Sequence, residues 1–181
     1  MSAESHEVIA PAPRLAGRAI LAAGNKAVYP GQGPCRIVRV VNKVIDGGAI
    51  MFYQLTVLDD SGGELFIPVA KAHAIGIRSL MKKSEIPALM DHLKKRAKAA
   101  ENWKQRANDN ARLLNSGGPL DLAEIVASLT ELNETRSLTL GEARTLGKAR
   151  KLLVCEISEV IGEEKEAVDQ TVEQTLKSRK R

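Results

Sequence analysis

Two stretches decide the fold of this chain: KAVYPGQGPCRIVRV, residues 26–40, and GGELFIPVAKAHAIGIRSL, residues 62–80. The first predicts a short strand over residues 26–29, followed by a turn at Pro30 and Gly31. Proline presets the first corner angle of such a turn, and glycine tolerates the positive φ of the second. The front half of the chain is therefore expected to be rich in β-strands.

Further strands follow at short intervals. Residues 35–45 are rich in valine and isoleucine, and the Asp-Gly-Gly triplet at 46–48 predicts a hairpin onto residues 49–58. A second glycine-rich reversal leads to residues 64–69. Pro68 predicts an edge strand there, because proline donates no hydrogen bond to a neighbouring strand. Four or five short antiparallel strands predict a small barrel or a strongly bent sheet.

The spacing of apolar residues becomes helical after residue 78. Ser84 is the predicted N-cap of a helix that runs to about residue 99, with a proline tolerated in its first turn. A second helix is predicted from Trp103 to about residue 115, and Pro119 begins a third. Thr139 then opens a capping box with the glutamate three residues on, which predicts a longer helix.

The sequence thus predicts an α+β fold, in which a small N-terminal antiparallel β-barrel or sheet precedes a compact all-helical C-terminal domain. We predict four segments. Residues 1–23 form a flexible extension, residues 24–81 a β-rich domain, residues 84–176 a helical domain and residues 177–181 a basic tail. The linker between the two domains is short, so their relative motion should be limited.

The charge of the chain is moderately basic, at +5 with an isoelectric point near 9.3. Residues 82–112 contain nine Lys/Arg against four Asp/Glu, a local surplus as large as the whole net charge. Clustered cations favour phosphate binding, because they release counterions where they gather. A solvated helix face would give the same composition, so both interpretations stand.

Catalytic and metal chemistry find little support. The chain has two cysteines, Cys35 and Cys155, and three histidines, with no CxxC or i,i+4 metal spacing. Cys35 and His73 could meet in one small barrel as a catalytic pair. Alternatively, Cys35 packs in a strand and His73 lies in a surface turn, and neither residue has a catalytic role. We expect no enzyme activity, metal or cofactor. No apolar run approaches the roughly 20 residues that cross a bilayer, so no membrane partner is expected.

Trp103 is the single tryptophan, and it lies in the polar context Asn-Trp-Lys-Gln-Arg. In one interpretation it begins a helical stripe that faces the core, with Ala107, Ala111 and Leu114. In the other, the ring projects from the helix start and contacts nucleic acid, with neighbouring cations holding phosphates. Spacing alone does not decide between them.

Phe66 and Pro68 pose a similar choice. An exposed apolar residue beside an edge-strand proline indicates a partner surface, and an open edge can accept a strand from another protein. Alternatively, Phe66 fills the interior of a small barrel that has few other aromatic residues.

The chain resembles the CarD/CdnL family of bacterial transcription regulators. The motifs that carry the resemblance are VYPGQG at residues 28–33, FIP-x-x-K at 66–71 and IGIR at 75–78. In the helical half they are the Asn-Trp step at 102–103, LAEIVASL, and LTLGEARTLGKARKLLVCEI from residue 138.

The resemblance implies a Tudor-like β-domain that binds the β subunit of RNA polymerase, with Phe66 and Pro68 on the contacting strand. It implies that the helical domain reaches promoter DNA at the upstream edge of the −10 region. There Trp103 wedges into the minor groove without reading sequence, Lys104 and Arg106 lie beside it, and the open complex is stabilised. A cytoplasmic monomer, associated with the nucleoid through polymerase, would be expected.

One departure from the family pattern leaves an alternative open. The family has two adjacent arginines after the tryptophan, where this chain has Gln105 and Arg106. A diverged paralogue that acts as a protein-interaction adaptor, with little or no DNA contact, would also account for the sequence.

Overall fold

The computed structural model describes residues 21–59, 61–95 and 102–179. Most of the predicted extension at 1–23, and residues 180–181 of the predicted basic tail, lie outside this part. Within it, an antiparallel sheet precedes a group of helices, which confirms the predicted α+β class.

The sheet has five strands in the order β4-β3-β2-β1-β5. They are β1 (Lys26–Tyr29), β2 (Gly33–Ile45), β3 (Gly48–Val57), β4 (Glu64–Pro68) and β5 (Arg78–Ser79). Strand β4 lies at one edge, as Pro68 predicted. The register between β2 and β3 shifts between Ile37 and Arg39, which marks a β-bulge. Beyond the bulge the two strands continue as a long ribbon that ends at residues 45–48.

The helices are α1 (Ala72–Ile75), α2 (Ile86–Lys94), α3 (Trp103–Ser116), α4 (Pro119–Thr135), α5 (Leu140–Ile161) and α6 (Lys165–Lys177). The start of α3, the proline at the start of α4 and the capping box of α5 agree with the sequence prediction. The predicted bounds of α2 were wrong. A 3₁₀ turn (Lys83–Glu85) delays its start to Ile86, and the extended backbone of Lys95 ends it.

Two separate apolar clusters form the interior. The sheet cluster is built around Ile37, Leu55 and Tyr53, and the helical cluster around Leu129, Leu153 and similar aliphatic residues. The helical cluster is aliphatic because the chain is only 3% aromatic. Among the described residues, no helix is both long and apolar enough to cross a membrane.

The sheet and the helices pack directly on each other. A Cβ atom at Gly33, in β2, would lie 3.0 Å from the side chain of Leu152 in α5. A Cβ atom at Gly117, after α3, would lie 3.0 Å from the Cα of Pro30. Backbone and side chain thus approach at distances that a larger residue would not permit.

The last described residue belongs to the helical interior. Arg179 is 5% exposed in its side chain, donates from Nε to the carbonyl oxygen of Leu93 at 2.8 Å, and pairs with Glu131 at 3.5 Å. This part of the predicted basic tail is therefore packed against the helices.

Candidate nucleic-acid and polymerase interface

Trp103 is the first residue of α3 and is 66% exposed. The helix begins here because the side chain of Asn102 accepts a hydrogen bond from the backbone nitrogen of Lys104 at 2.9 Å. A helical side chain covers the turn on its N-terminal side, and at the first position no such turn exists. The indole is displayed at the surface beside the start of α3, and the interpretation that buries it in the core does not hold.

The stripe that continues from Trp103 forms the floor of a groove. The groove has a volume of about 410 Å³ and lies between α3 and the first turns of α5. Its lining residues are mostly small or apolar, and they include Ala107, Ala111, Leu114, Gly141 and Thr145. The residues that share this helical spacing with Trp103 therefore line a surface groove beside the indole.

Lys104 is exposed next to the indole. Its Nζ lies 5.7 Å from the centroid of the Trp103 ring, which is near the outer limit of a cation–π contact. The ring and a positive charge are therefore presented together at the start of α3.

Arg106 differs from the other two predicted DNA-contacting residues, because it is only 8% exposed. Its Nε donates to Oε1 of Glu142 at 3.1 Å, across the joint between α3 and α5. The structure therefore brings Trp103 and Lys104 together on the surface and places Arg106 inside the joint behind them.

Glu142 joins three elements of the helical half. Burial alone would raise its pKa. Hydrogen bonds from Arg136, Thr139 and Arg106 outweigh burial and lower this pKa from 4.5 to about 2. The carboxylate is therefore charged at neutral pH, and it holds the start of α5 against α3.

Sequence reasoning missed two cations on α5. Arg144 and Lys148 are exposed, and they lie one turn apart on the helix whose first turns line the groove. Both lie beyond residues 82–112, the segment with the local surplus of cations, although their i,i+4 spacing is a usable signal.

Phe66 lies on the edge strand β4 and is 44% exposed. The Nζ of Lys43, from β2, lies 3.8 Å from the centroid of its ring, and 5.7 Å from that of Phe52. Pro68 is partly buried and pairs with Phe52 in the register of β3 and β4. The interpretation that Phe66 fills the barrel interior does not hold.

The outer face of the sheet, on which Phe66 lies, carries further exposed apolar side chains. Phe66 is the cross-strand partner of Gln54, whose Oε1 accepts a hydrogen bond from Nε of Arg39 at 2.7 Å. Farther along the ribbon, Ile45 is 43% exposed and Ile50 is 38% exposed. Lys43 could not be assigned to this surface from sequence patterns, because cross-strand neighbours depend on register.

Cys35 lacks the character of a nucleophile. It is 0% exposed, and burial raises the pKa of its thiol from 9.0 to about 11. A reactive cysteine needs the opposite shift. Within residues 21–59, 61–95 and 102–179, no group of three or more His, Cys, Asp or Glu side chains could hold a metal ion.

Comparison with known families agrees with this arrangement. Residues 21–81 match the family model described as the CarD-like/TRCF RID domain, and residues 88–173 match the model described as the CarD C-terminal domain. This chain belongs to the CarD family. It is therefore a CarD-like, transcription-related protein that interacts with RNA polymerase.

Proposed function

We propose that this CarD-family protein binds the β subunit of RNA polymerase and contacts promoter DNA at the upstream edge of the −10 region. It thereby stabilises the open complex. The observation that carries the proposal is the 66% exposure of Trp103 at the start of α3, beside Lys104. An exposed indole has a cost in water, and a partner that covers it removes that cost.

The indole suits a wedge in the minor groove. Apolar side chains there unstack a base step and need no sequence code, because the minor groove distinguishes the base pairs poorly. Lys104 is exposed beside the indole, Arg144 and Lys148 are exposed on α5, and in this proposal the three cations contact phosphates. Binding should therefore be weak, indifferent to sequence and sensitive to salt.

Arg106 has a positioning role in this proposal. Its guanidinium bonds Glu142 and is not displayed beside the indole. It supports DNA contact by holding α3 against α5, which fixes the direction in which Trp103 projects.

The polymerase contact uses the β4 edge and the outer face of the sheet. The edge offers backbone groups for strand addition, and Phe66, Pro68 and Lys43 offer side-chain contacts. A monomer that makes both contacts gains from effective concentration, since one weak contact holds the other in place. Polymerase binding would bring the protein to the nucleoid in the cytoplasm.

Footprinting of a polymerase–promoter complex, with and without the protein, tests the proposal. We expect new protection at the upstream edge of the −10 region and a longer-lived open complex. An unchanged footprint, with the protein still bound to polymerase, would contradict DNA contact.

That second result would favour a protein-interaction adaptor. The observation on its side is that, of the two arginines in the family pattern, one is missing and the other is paired. Gln105 stands where the family pattern has an arginine, and Arg106 is engaged with Glu142. The adaptor would bind polymerase through its sheet and use the helical groove for another protein.

A further inference from the structure

A partly buried ion pair, in which the arginine side chain is 27% exposed and the carboxylate is buried, lies at the joint between the sheet and the helices. Arg78 comes from the edge strand β5, and Glu156 comes from the middle of α5 and is 1% exposed. Both Nη1 and Nη2 of Arg78 donate to the carboxylate, at 2.7 Å each. The carboxylate also accepts from the backbone nitrogen of Met81 at 2.9 Å.

The same guanidinium reaches a third element. Nη2 of Arg78 donates to the carbonyl oxygen of Gly117 at 2.6 Å. Gly117 is the left-handed C-cap of α3, and it packs on Pro30 of the turn between β1 and β2. One side chain therefore connects the sheet, the middle of α5 and the end of α3.

We propose that Arg78 and Glu156 are positioning residues that fix the orientation of the sheet relative to the helices. They thereby hold Trp103 and Phe66 in one spatial relation. The inference rests on the proposed function, because that function makes these two residues the contact points. From the joint, α3 extends about 20 Å to Trp103, so a pivot of about 10° would move the indole by roughly 3 Å.

Stability alone does not explain this pair. A buried ion pair is often no more stabilising than apolar residues of the same volume. We therefore attribute this pair to the orientation that it imposes on the sheet relative to the helices. Moreover, Nε of Arg78 is buried without a hydrogen-bond partner among the described residues, which is itself a cost. The planar guanidinium offers a fixed fork that an ammonium group does not.

Among the residues that the structure describes, two other ion pairs join the β-rich half to α5, and both are more exposed. Lys26 pairs with Glu159 at 2.6 Å, and Lys151 pairs with Asp59 at 3.3 Å. Exposed pairs of this kind are screened by water and salt and hold geometry weakly. Lys26→Met therefore serves as a matched control, because it removes an ion pair across the same joint.

The test is a distance measurement on the full chain. Spin labels at Gln105→Cys in α3 and Val44→Cys in the ribbon report the sheet–helix distance, because both positions are exposed and the native cysteines are buried. In this background Arg78→Lys keeps the charge but loses the fork. We expect a broader or shifted distance distribution for Arg78→Lys and an unchanged one for Lys26→Met.

An Arg78→Lys protein that gives the original distribution would overturn the inference. Should Arg78→Lys fail to fold, the double variant Arg78→Met with Glu156→Gln carries the same measurement. It leaves no unpaired charge, and the glutamine oxygen still accepts from Met81. The original distribution in a folded double variant would equally overturn the inference.

A second readout separates this inference from the proposed function. We expect Arg78→Lys to shorten the open-complex lifetime about tenfold while polymerase affinity stays unchanged. If Trp103→Ala shortens the lifetime and Arg78→Lys does not, the positioning role fails. If Trp103→Ala has no effect, the proposed function fails. The distance measurement then still decides whether Arg78 and Glu156 orient the sheet relative to the helices.

Discussion

At the scale of single residues, exposure follows from position along a helix or strand. Trp103 projects because Asn102 starts the helix immediately before it, and Arg106 is buried because it lies one turn farther on, facing α5. Three residues in sequence separate a displayed ring from a buried cation. Residue type alone would have favoured the opposite assignment, with the ring in the core and the cation on the surface.

Trp103→Ala should leave the fold intact and shorten the open-complex lifetime. The ring is 66% exposed, so its removal should change the free energy of unfolding by about 0.5 kcal/mol or less. Lifetimes measured after challenge with a competitor, alongside thermal unfolding, check both expectations. Leu120→Ala is the matched control, because Leu120 is also exposed at the start of a helix. A large loss of stability in Trp103→Ala would show that the ring is structural.

Phe66→Ala should weaken binding to the polymerase β subunit by about 1–2 kcal/mol if the ring is an anchor of that interface. It would also remove the contact with the ammonium of Lys43. Titration calorimetry with the isolated β lobe measures the change. Val44→Ala, near the tip of the β2–β3 ribbon and 76% exposed, is the control. Equal affinities for Phe66→Ala and the parent protein would count against this surface.

At the scale of elements, the joint between α3 and α5 depends on one carboxylate. Glu142 completes the capping box of α5 and also accepts hydrogen bonds from Arg106 and Arg136. The start of α5 and the direction of α3 are therefore fixed by the same group. A local capping signal in the sequence thus serves a tertiary contact as well.

Acid should weaken this joint in a defined range. The pKa of Glu142 in the folded protein is about 2, below its ordinary value of 4.5. A depressed pKa contributes stability that is fully present above the unfolded value and is lost as pH falls from about 4.5 to 2. Glu142→Gln should therefore flatten the pH dependence of the unfolding free energy in that range. Urea unfolding at several pH values measures it, and identical slopes for both proteins would refute the assignment.

At the scale of the whole molecule, the two proposed contact surfaces lie on different layers. The sheet presents Phe66, the helices present Trp103, and a joint that has three ion pairs within the described part of the chain lies between them. Because the sheet and the helices each have their own apolar cluster, the joint determines how they are oriented. In the proposed function, coupling between the polymerase and DNA contacts therefore depends on the sheet, the helices and the joint between them.

The salt dependence of DNA binding should report the number of phosphate contacts. Three exposed cations, Lys104, Arg144 and Lys148, predict a slope of log K against log salt of about −2.7 for duplex DNA. Lys104→Ala should reduce the magnitude of this slope by about one. Fluorescence anisotropy of the full chain over a salt series measures both. Lys26→Met, whose charge lies away from the groove, should leave the slope unchanged, and a slope near zero would refute the phosphate contacts.

Local signals in the amino-acid sequence were enough to predict most of the elements and the fold class. Strand periodicity, Pro30 and the glycine-rich reversals gave the hairpins, and Pro68 placed β4 at the edge of the sheet. These signals are local, because turn angles and missing donors act within a few residues. The end of α2 escaped prediction, since the helical composition continues past Lys94 while the backbone of Lys95 is extended.

Which side chains those elements display at the surface depends on the tertiary structure. It turned the stripe at Trp103 into a groove, paired Arg106 with Glu142, and brought Lys43 over Phe66. Each outcome depends on partners distant in sequence, whose positions follow from strand register and helix packing. Local periodicity specifies which residues share a face, but burial and charge pairing depend on what that face meets.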